Sequence, residues 1–111
     1  MRNNFGGFPG GNMQQLMRQA QKMQEKLTQA QEELDTREYE ASAGGGAVSC
    51  RVSGKRELLS LTIKPEVVDH DDVEMLQDLV MAAVNEALRL GEKTREDTMN
   101  AMTPAGMGGL F

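Results

Sequence analysis

The chain has 111 residues, room for a single domain, and it is 39% hydrophobic but only 4% aromatic. Such a thin core predicts that a partner subunit contributes to stability. Cys50 is the only cysteine and His70 the only histidine, which excludes an internal disulfide and leaves no usual metal-ligand set. No apolar run approaches the roughly 18 residues of a membrane span. The net charge of −5 disfavours a nucleic-acid partner unless the basic residues are gathered in one place.

Composition divides the chain into three parts. Residues 1–11 and 103–111 are rich in glycine, and we expect a flexible leader and a flexible tail there. Residues 12–102 form the predicted domain. A single cysteine and no signal peptide favour the reducing environment of the cytoplasm.

The first predicted element is a long helix with Asn12 as its N-cap. Apolar residues alternate at spacings of three and four from Met13 to Leu34, which is a heptad pattern over three repeats. Two interpretations stay open. The helix packs on its own sheet, or part of its apolar seam faces another subunit.

Three strands are predicted between residues 37 and 64. Val48, Cys50 and Val52 alternate with polar residues, and so do Leu59, Leu61 and Ile63, so the sheet has one apolar face. The glycines at 44–46 indicate a turn or bulge with unusual backbone angles. Gly54-Lys55 predicts a two-residue type II′ turn between the second and third strands.

A second long helix is predicted to continue to about Asn100. Asp71, with Glu74 three residues later, predicts a capping box at its start. The fold class is therefore α+β: a long N-terminal helix, a three-stranded antiparallel meander and a long C-terminal helix. The predicted core and dimer residues are Leu16, Met23, Leu27, Val48, Cys50, Val52, Leu61, Ile63, Leu76 and Val80.

Basic residues gather in two segments. Residues 13–26 carry three basic side chains and one acidic one, as do residues 89–95, whereas residues 66–78 carry six acids and no base. If the helices lie antiparallel and side by side, their basic ends meet, although a solvated face is the competing interpretation. A paired basic surface would bind duplex DNA without reading its sequence. The candidate DNA-binding residues are Arg18, Lys22, Lys26, Arg89, Lys93 and Arg95.

No pattern of a catalytic or cofactor site is found. The glycines at 44–46 are not followed by the Lys-Ser/Thr of a P-loop. Asp69, Asp71 and Asp72 do not match a calcium loop and suit helix capping instead. Cys50 fits a small core residue, and His70 alone makes no catalytic pair. We expect neither enzymatic activity nor a cofactor.

Three segments in order, AGGGAV (43–48), IKPEVVD (63–69) and DLVMAAVNEAL (78–88), resemble the YbaB/EbfC family of nucleoid-associated proteins. The similarity covers about residues 12–103; His70 departs from a common proline. The resemblance implies a tweezer-like homodimer that binds double-stranded DNA with little sequence preference in the nucleoid, affecting DNA conformation and gene expression. The family places DNA contacts on the helical arms, without fixing individual residues.

Two other functions are compatible with the same features. The apolar seam and the acidic segment could dock a recombination or replication protein, making the chain an adaptor without direct DNA binding. A Met-rich coiled-coil tweezer could instead act as a chaperone. DNA binding across a salt series separates these hypotheses.

Overall fold

The computed structural model describes residues 10–102 and has the predicted order of elements. Helix α1 spans Gly10–Thr36, strands β1, β2 and β3 span Glu38–Ala43, Val48–Ser53 and Leu58–Ile63, and helix α2 spans Val73–Met102. A short 3-10 turn at Pro65–Val67 follows β3. The α+β prediction is confirmed. The predicted tail, and the leader up to residue 9, lie outside the described residues.

The two helices do not begin where the sequence predicted. Helix α1 begins at Gly10, three residues before the predicted start at Met13, so Asn12 lies inside the helix and is not its N-cap. At α2 the carboxylate of Asp72 accepts a hydrogen bond from Met75 N–H at 3.2 Å, so Asp72 and not Asp71 is the cap. Asp71 instead donates its N–H to the Asp69 carboxylate at 2.9 Å. Adjacent aspartates offer equivalent caps, and only the backbone path selects one of them.

The core lies between the sheet and α2. The strands are antiparallel in the order β1-β2-β3, and Val48, Cys50 and Val52 of the central strand are almost fully buried. Ala83 and Ala87 have no exposed surface, which is consistent with close packing of α2 on the sheet. The Cys50 thiol donates to Ala83 O at 3.3 Å, and burial raises its pKa. The predicted apolar face of β2 is confirmed.

The predicted type II′ turn between β2 and β3 is wrong. Hydrogen bonds between Ser53 and Glu57 close the loop around three residues, 54–56: Ser53 N–H donates to Glu57 O at 2.9 Å, and Arg56 N–H donates to Ser53 O at 2.9 Å. The positive φ, 67°, belongs to Arg56 and not to Gly54. Gly54 is required for another reason, since a Cβ there would lie 1.7 Å from Leu34 O at the end of α1.

The turn between β1 and β2 does use glycine for its backbone angles. Gly44, Gly45 and Gly46 all have positive φ, as their sequence predicted. Gly44 is also close to α2, because a Cβ there would lie 2.8 Å from Leu79 Cδ2.

Helix α1 projects from the body formed by the sheet and α2. The chain measures 83 × 24 × 17 Å, and among residues 12–36 of α1 only Leu34 is buried, with Leu27, Ala30 and Asp35 partly so. Leu16 and Met23, at 54% and 40% exposure, have no cover from their own sheet. The apolar seam therefore stays largely open in the single chain. Within residues 10–102, no helix is both long and apolar enough to cross a membrane.

Candidate nucleic-acid interface

The projecting part of α1 carries a row of basic side chains. Arg18, Lys22 and Lys26 recur every four residues, so they share one helix face over about 12 Å. All three are exposed, and none forms an ion pair with another residue in the part of the chain that the structure describes. We call residues 12–26 the α1 arm. Its cations are available to an external anion.

The charge of the arm is opposite to that of the body. The arm holds three basic side chains and one acidic one, whereas residues 27–102 hold eight basic and sixteen acidic side chains. The short connection before α2, 69–72, contains three aspartates at the sheet end. A net-acidic chain therefore presents one basic projection.

Arg89 and Lys93 are exposed on α2 but already have partners. Arg89 makes two hydrogen bonds to the Glu86 carboxylate, at 2.9 and 2.6 Å, which lower the pKa of that carboxyl. Lys93 Nζ lies 3.3 Å from the Asp97 carboxylate. Binding a phosphate with either residue requires exchange of these local pairs.

Arg95 occupies a different environment from the other five candidates. Its Nη2 donates to the Asp35 carboxylate at 2.7 Å and to Gly54 O at 3.2 Å, and both side chains of the ion pair are about one-third exposed. Arg95 thus lies against the sheet end of α1. The seventeen residues from Asp35 back to Arg18 span about 26 Å of helix. Arg18 and Arg95 therefore do not lie together within one chain.

Four of the predicted core and dimer residues, Leu61, Ile63, Leu76 and Val80, belong to one apolar surface at the sheet edge, a grouping that the sequence reasoning did not predict. Leu61 lies opposite Cys50 in the β2–β3 register, on the face toward α2, yet it is 40% exposed. An open groove beside it is lined by Gln77 and by four apolar residues: Ile63, Leu76, Val80 and Met81. We call Leu59, Leu61 and these four groove residues the edge surface. The signal in the sequence was an apolar third strand with no fourth strand to cover it.

The acidic turn before α2 is the one place where potential metal ligands cluster in the described residues. Ligand atoms of Asp69, His70 and Asp71 lie within 4.8 Å of one another, and all three side chains are exposed. The turn hydrogen bond from Asp71 to Asp69 accounts for their proximity. Nothing in this geometry assigns a metal to the turn.

Comparison with known proteins places this geometry in a family. A profile of the YbaB/EbfC DNA-binding family matches residues 10–107. The chain belongs to this family. A nucleoid-associated protein of Clostridium botulinum is 58% identical over 106 residues, covering 96% of this chain and 94% of that one. Another, of Ruminiclostridium cellulolyticum, is 53% identical over 109 residues, covering 95% and 94%.

The fold is also similar to a solved structure. The crystal structure of an uncharacterized protein from Helicobacter pylori superposes with a TM-score of 0.66 at 27% identity, covering 80% of this chain and 94% of that one. The YbaB/EbfC resemblance predicted from the sequence is confirmed. The family name refers to DNA binding and the names of the relatives refer to the nucleoid. None of these names refers to a reaction.

Proposed function

We propose that this YbaB/EbfC protein binds double-stranded DNA of the nucleoid in the cytoplasm, as a homodimer whose α1 arms hold the duplex. One observation carries the proposal: three cations without ion-pair partners among the described residues project on a helix from an otherwise acidic chain. In a family named for DNA binding, this row is the surface best suited to phosphate.

The arrangement of the arm explains weak sequence preference. Three cations extend over about 12 Å of one helix face, while each DNA strand presents a phosphate about every 3.4 Å along the axis. Many registers therefore satisfy the same contacts. Lysine and arginine on phosphate fix position and carry no base information. Because the arms have a fixed placement in the protein, binding to them would alter the conformation of the DNA. That change in DNA conformation would in turn affect gene expression.

The six candidate residues contribute unequally in this mechanism. Arg18, Lys22 and Lys26 make the primary contacts. Arg89 and Lys93 contribute only after leaving Glu86 and Asp97. Arg95 contacts Asp35 and Gly54 and holds structure instead of phosphate.

A homodimer is supported by the apolar groups that the single chain leaves open. The edge surface combines the free edge of β3 with an apolar groove on α2, and such an edge calls for a partner. Pairing two copies there would bury Leu61 and Met81 and give the molecule two arms. With two arms, the dimer makes six weak phosphate contacts, whereas a single arm makes three.

Binding to a labelled duplex across a salt series tests the function. If both arms place three cations on phosphates, log K should fall against log salt with a slope of about −5. The variant Arg18/Lys22/Lys26→Glu should lose binding by at least about a hundredfold while remaining folded. A dimeric triple variant that binds like the parent contradicts the proposed contacts.

A matched pair of single variants controls for net charge. Lys22→Glu and Lys55→Glu change the charge equally, but Lys55 lies in the β2–β3 loop of the body. Only Lys22→Glu should weaken DNA binding. Equal effects would show a general response to charge and not a site on the arm.

The adaptor hypothesis has its own support in Met13, Leu16, Met17 and Met23, which leave an exposed apolar stripe on the arm. A recombination or replication protein that co-purifies in stoichiometric amount after nuclease treatment would favour it. Absence of duplex binding at low salt, together with such a partner, would replace the DNA proposal.

A further inference from the structure

The C-terminal end of α1 lies at a junction of four chain segments. Leu34, in the last turn of α1, is only 3% exposed, and a single residue, Arg37, separates α1 from β1. Arg37 N–H donates to Glu33 O and Arg37 O accepts from Gly54 N–H, both at 3.0 Å. The β2–β3 loop thus contacts Arg37, the residue between the end of α1 and the start of β1.

Arg95 brings the fourth segment, α2, into the same junction. One guanidinium nitrogen donates to the Asp35 carboxylate at 2.7 Å and to Gly54 O at 3.2 Å. It therefore joins the end of α1 to the β2–β3 loop. The last turn of α1 contains no basic residue of its own, so Arg95 also supplies a positive charge near the negative end of that helix.

Close backbone approach makes the junction sensitive to small displacements. Gly54 lies so near α1 that a Cβ would meet Leu34 O at 1.7 Å and Leu34 C at 2.6 Å. From Asp35 the helix continues to Arg18 over about 26 Å. A tilt of roughly 10° at the junction would move Arg18 by about 5 Å, which is larger than one phosphate spacing along the strand axis.

We infer that the Asp35–Arg95 pair is a positioning device that fixes the direction in which the α1 arm leaves the body. The inference rests on the proposed function where it concerns DNA, because the arm must reach phosphates. Arg95 acts through Asp35 and Gly54 and makes no contact with the duplex itself. Loss of the pair leaves α1 attached only through Arg37 and the packing of its last turns. The helix can then adopt a wider range of directions relative to the body.

Asp35→Asn distinguishes positioning from direct contact, because the two roles predict opposite effects on DNA binding. The substitution removes a negative charge and frees Arg95, which would strengthen binding if Arg95 touched phosphate. If the pair positions the arm, binding weakens despite the gain in charge. A productive direction populated in one molecule of five raises the apparent Kd about fivefold. Glu32→Gln is the control, an equal charge change on an exposed α1 residue without an ion pair among the described residues.

The direction of the arm can be measured without DNA. Nitroxide labels at Gln19→Cys on α1 and Ser42→Cys on β1, in a Cys50→Ala background, report the distance between arm and body by pulsed electron spin resonance. Labelled protein is diluted with unlabelled protein so that only distances within one chain contribute. Asp35→Asn should broaden or shift the distribution, whereas Glu32→Gln and the charge-retaining Asp35→Glu should stay close to the parent. Circular dichroism verifies that each variant keeps its helices.

The outcomes separate the two proposals. A broader distribution with about fivefold weaker duplex binding in Asp35→Asn alone supports the inference. An unchanged distribution in folded Asp35→Asn overturns it, whatever the DNA affinity. A broadened distribution with unchanged or tighter DNA binding overturns the link between arm direction and DNA. If the parent does not bind duplex but its distribution still depends on Asp35, the proposed function fails and the positioning role stands.

Discussion

At the scale of single residues, the hydroxyl of Tyr39 has an unusual environment. Its oxygen is buried and has no hydrogen-bond partner among the described residues, while its ring lies against Gly91 of α2. A buried hydroxyl without a partner loses its hydration and gains nothing in return. The ring, and not the hydroxyl, is therefore the part of this side chain that stabilises the core.

Tyr39→Phe should raise the free energy of unfolding by about 1 kcal/mol, because it removes the unpaired hydroxyl and keeps the ring. Urea denaturation followed by circular dichroism measures the change. Tyr39→Leu is the control and should be destabilising, since it removes the packing on Gly91. A clear loss of stability in Tyr39→Phe would reveal a partner for the hydroxyl.

Residue patterns predicted burial better than they predicted contacts. The alternation of Val48, Cys50 and Val52 correctly gave the buried face of β2, because a strand has a fixed period of two. Gly54 was correctly placed in a turn but for the wrong reason, since its role depends on Leu34, twenty residues earlier. Contacts between distant segments leave no local pattern. The Asp35–Arg95 pair, sixty residues apart, is of the same kind.

At the scale of elements, β3 differs from its neighbours. It pairs with β2 along one edge, and among the described residues no strand pairs with the other. Leu58, Leu59 and Leu61 all remain at least 40% exposed. An apolar strand with an open edge suits association with a second copy.

Leu61→Lys should weaken the proposed homodimer at least about tenfold, because burying an unpaired ammonium costs several kcal/mol and each 1.4 kcal/mol is about tenfold in Kd. Thr62→Lys is the matched control, an exposed neighbour whose side chain points to the opposite face of β3. Light-scattering mass over a dilution series measures the effect. Equal dissociation by both variants, or by neither, would move the interface away from the edge surface.

The elements themselves were predictable because each has a strong local period. Their mutual placement was not. At 27 residues α1 is about 40 Å long, whereas a strand of 6 residues is about 20 Å long, so α1 extends past the sheet. The end of α1 lies against Arg95, which leaves Arg18 about 26 Å away along the helix. This placement depends on the junction, and no repeat in the sequence indicates it.

At the scale of the whole molecule, the chain is far from compact. Its Cα radius of gyration is 23.1 Å, whereas a globular chain of this length has one of about 13 Å. The two long helices, of 27 and 30 residues, account for the difference. Residues of the arm are exposed on every face. An isolated helical segment of this length is only marginally stable in water.

Hydrogen exchange should therefore show two regions of the molecule with different amide exchange rates. We expect amides of residues 12–26 to exchange at least about a hundredfold faster than those of β2 and of α2 around Ala83, because the latter open only with the core. Adding duplex DNA should slow exchange in the arm and leave the core unchanged. Protection that appears on the acidic connection 69–72 instead would contradict an arm-centred site.

The segregation of charge also governs how the protein meets a polyanion before any contact forms. The field of a duplex attracts the arm and repels the body, so it exerts a torque that turns the molecule during approach. Encounters then begin at the tip of the arm, and misoriented collisions are rejected early. Added salt shortens the reach of this torque to about 8 Å at physiological ionic strength, so the association rate should fall along with the affinity.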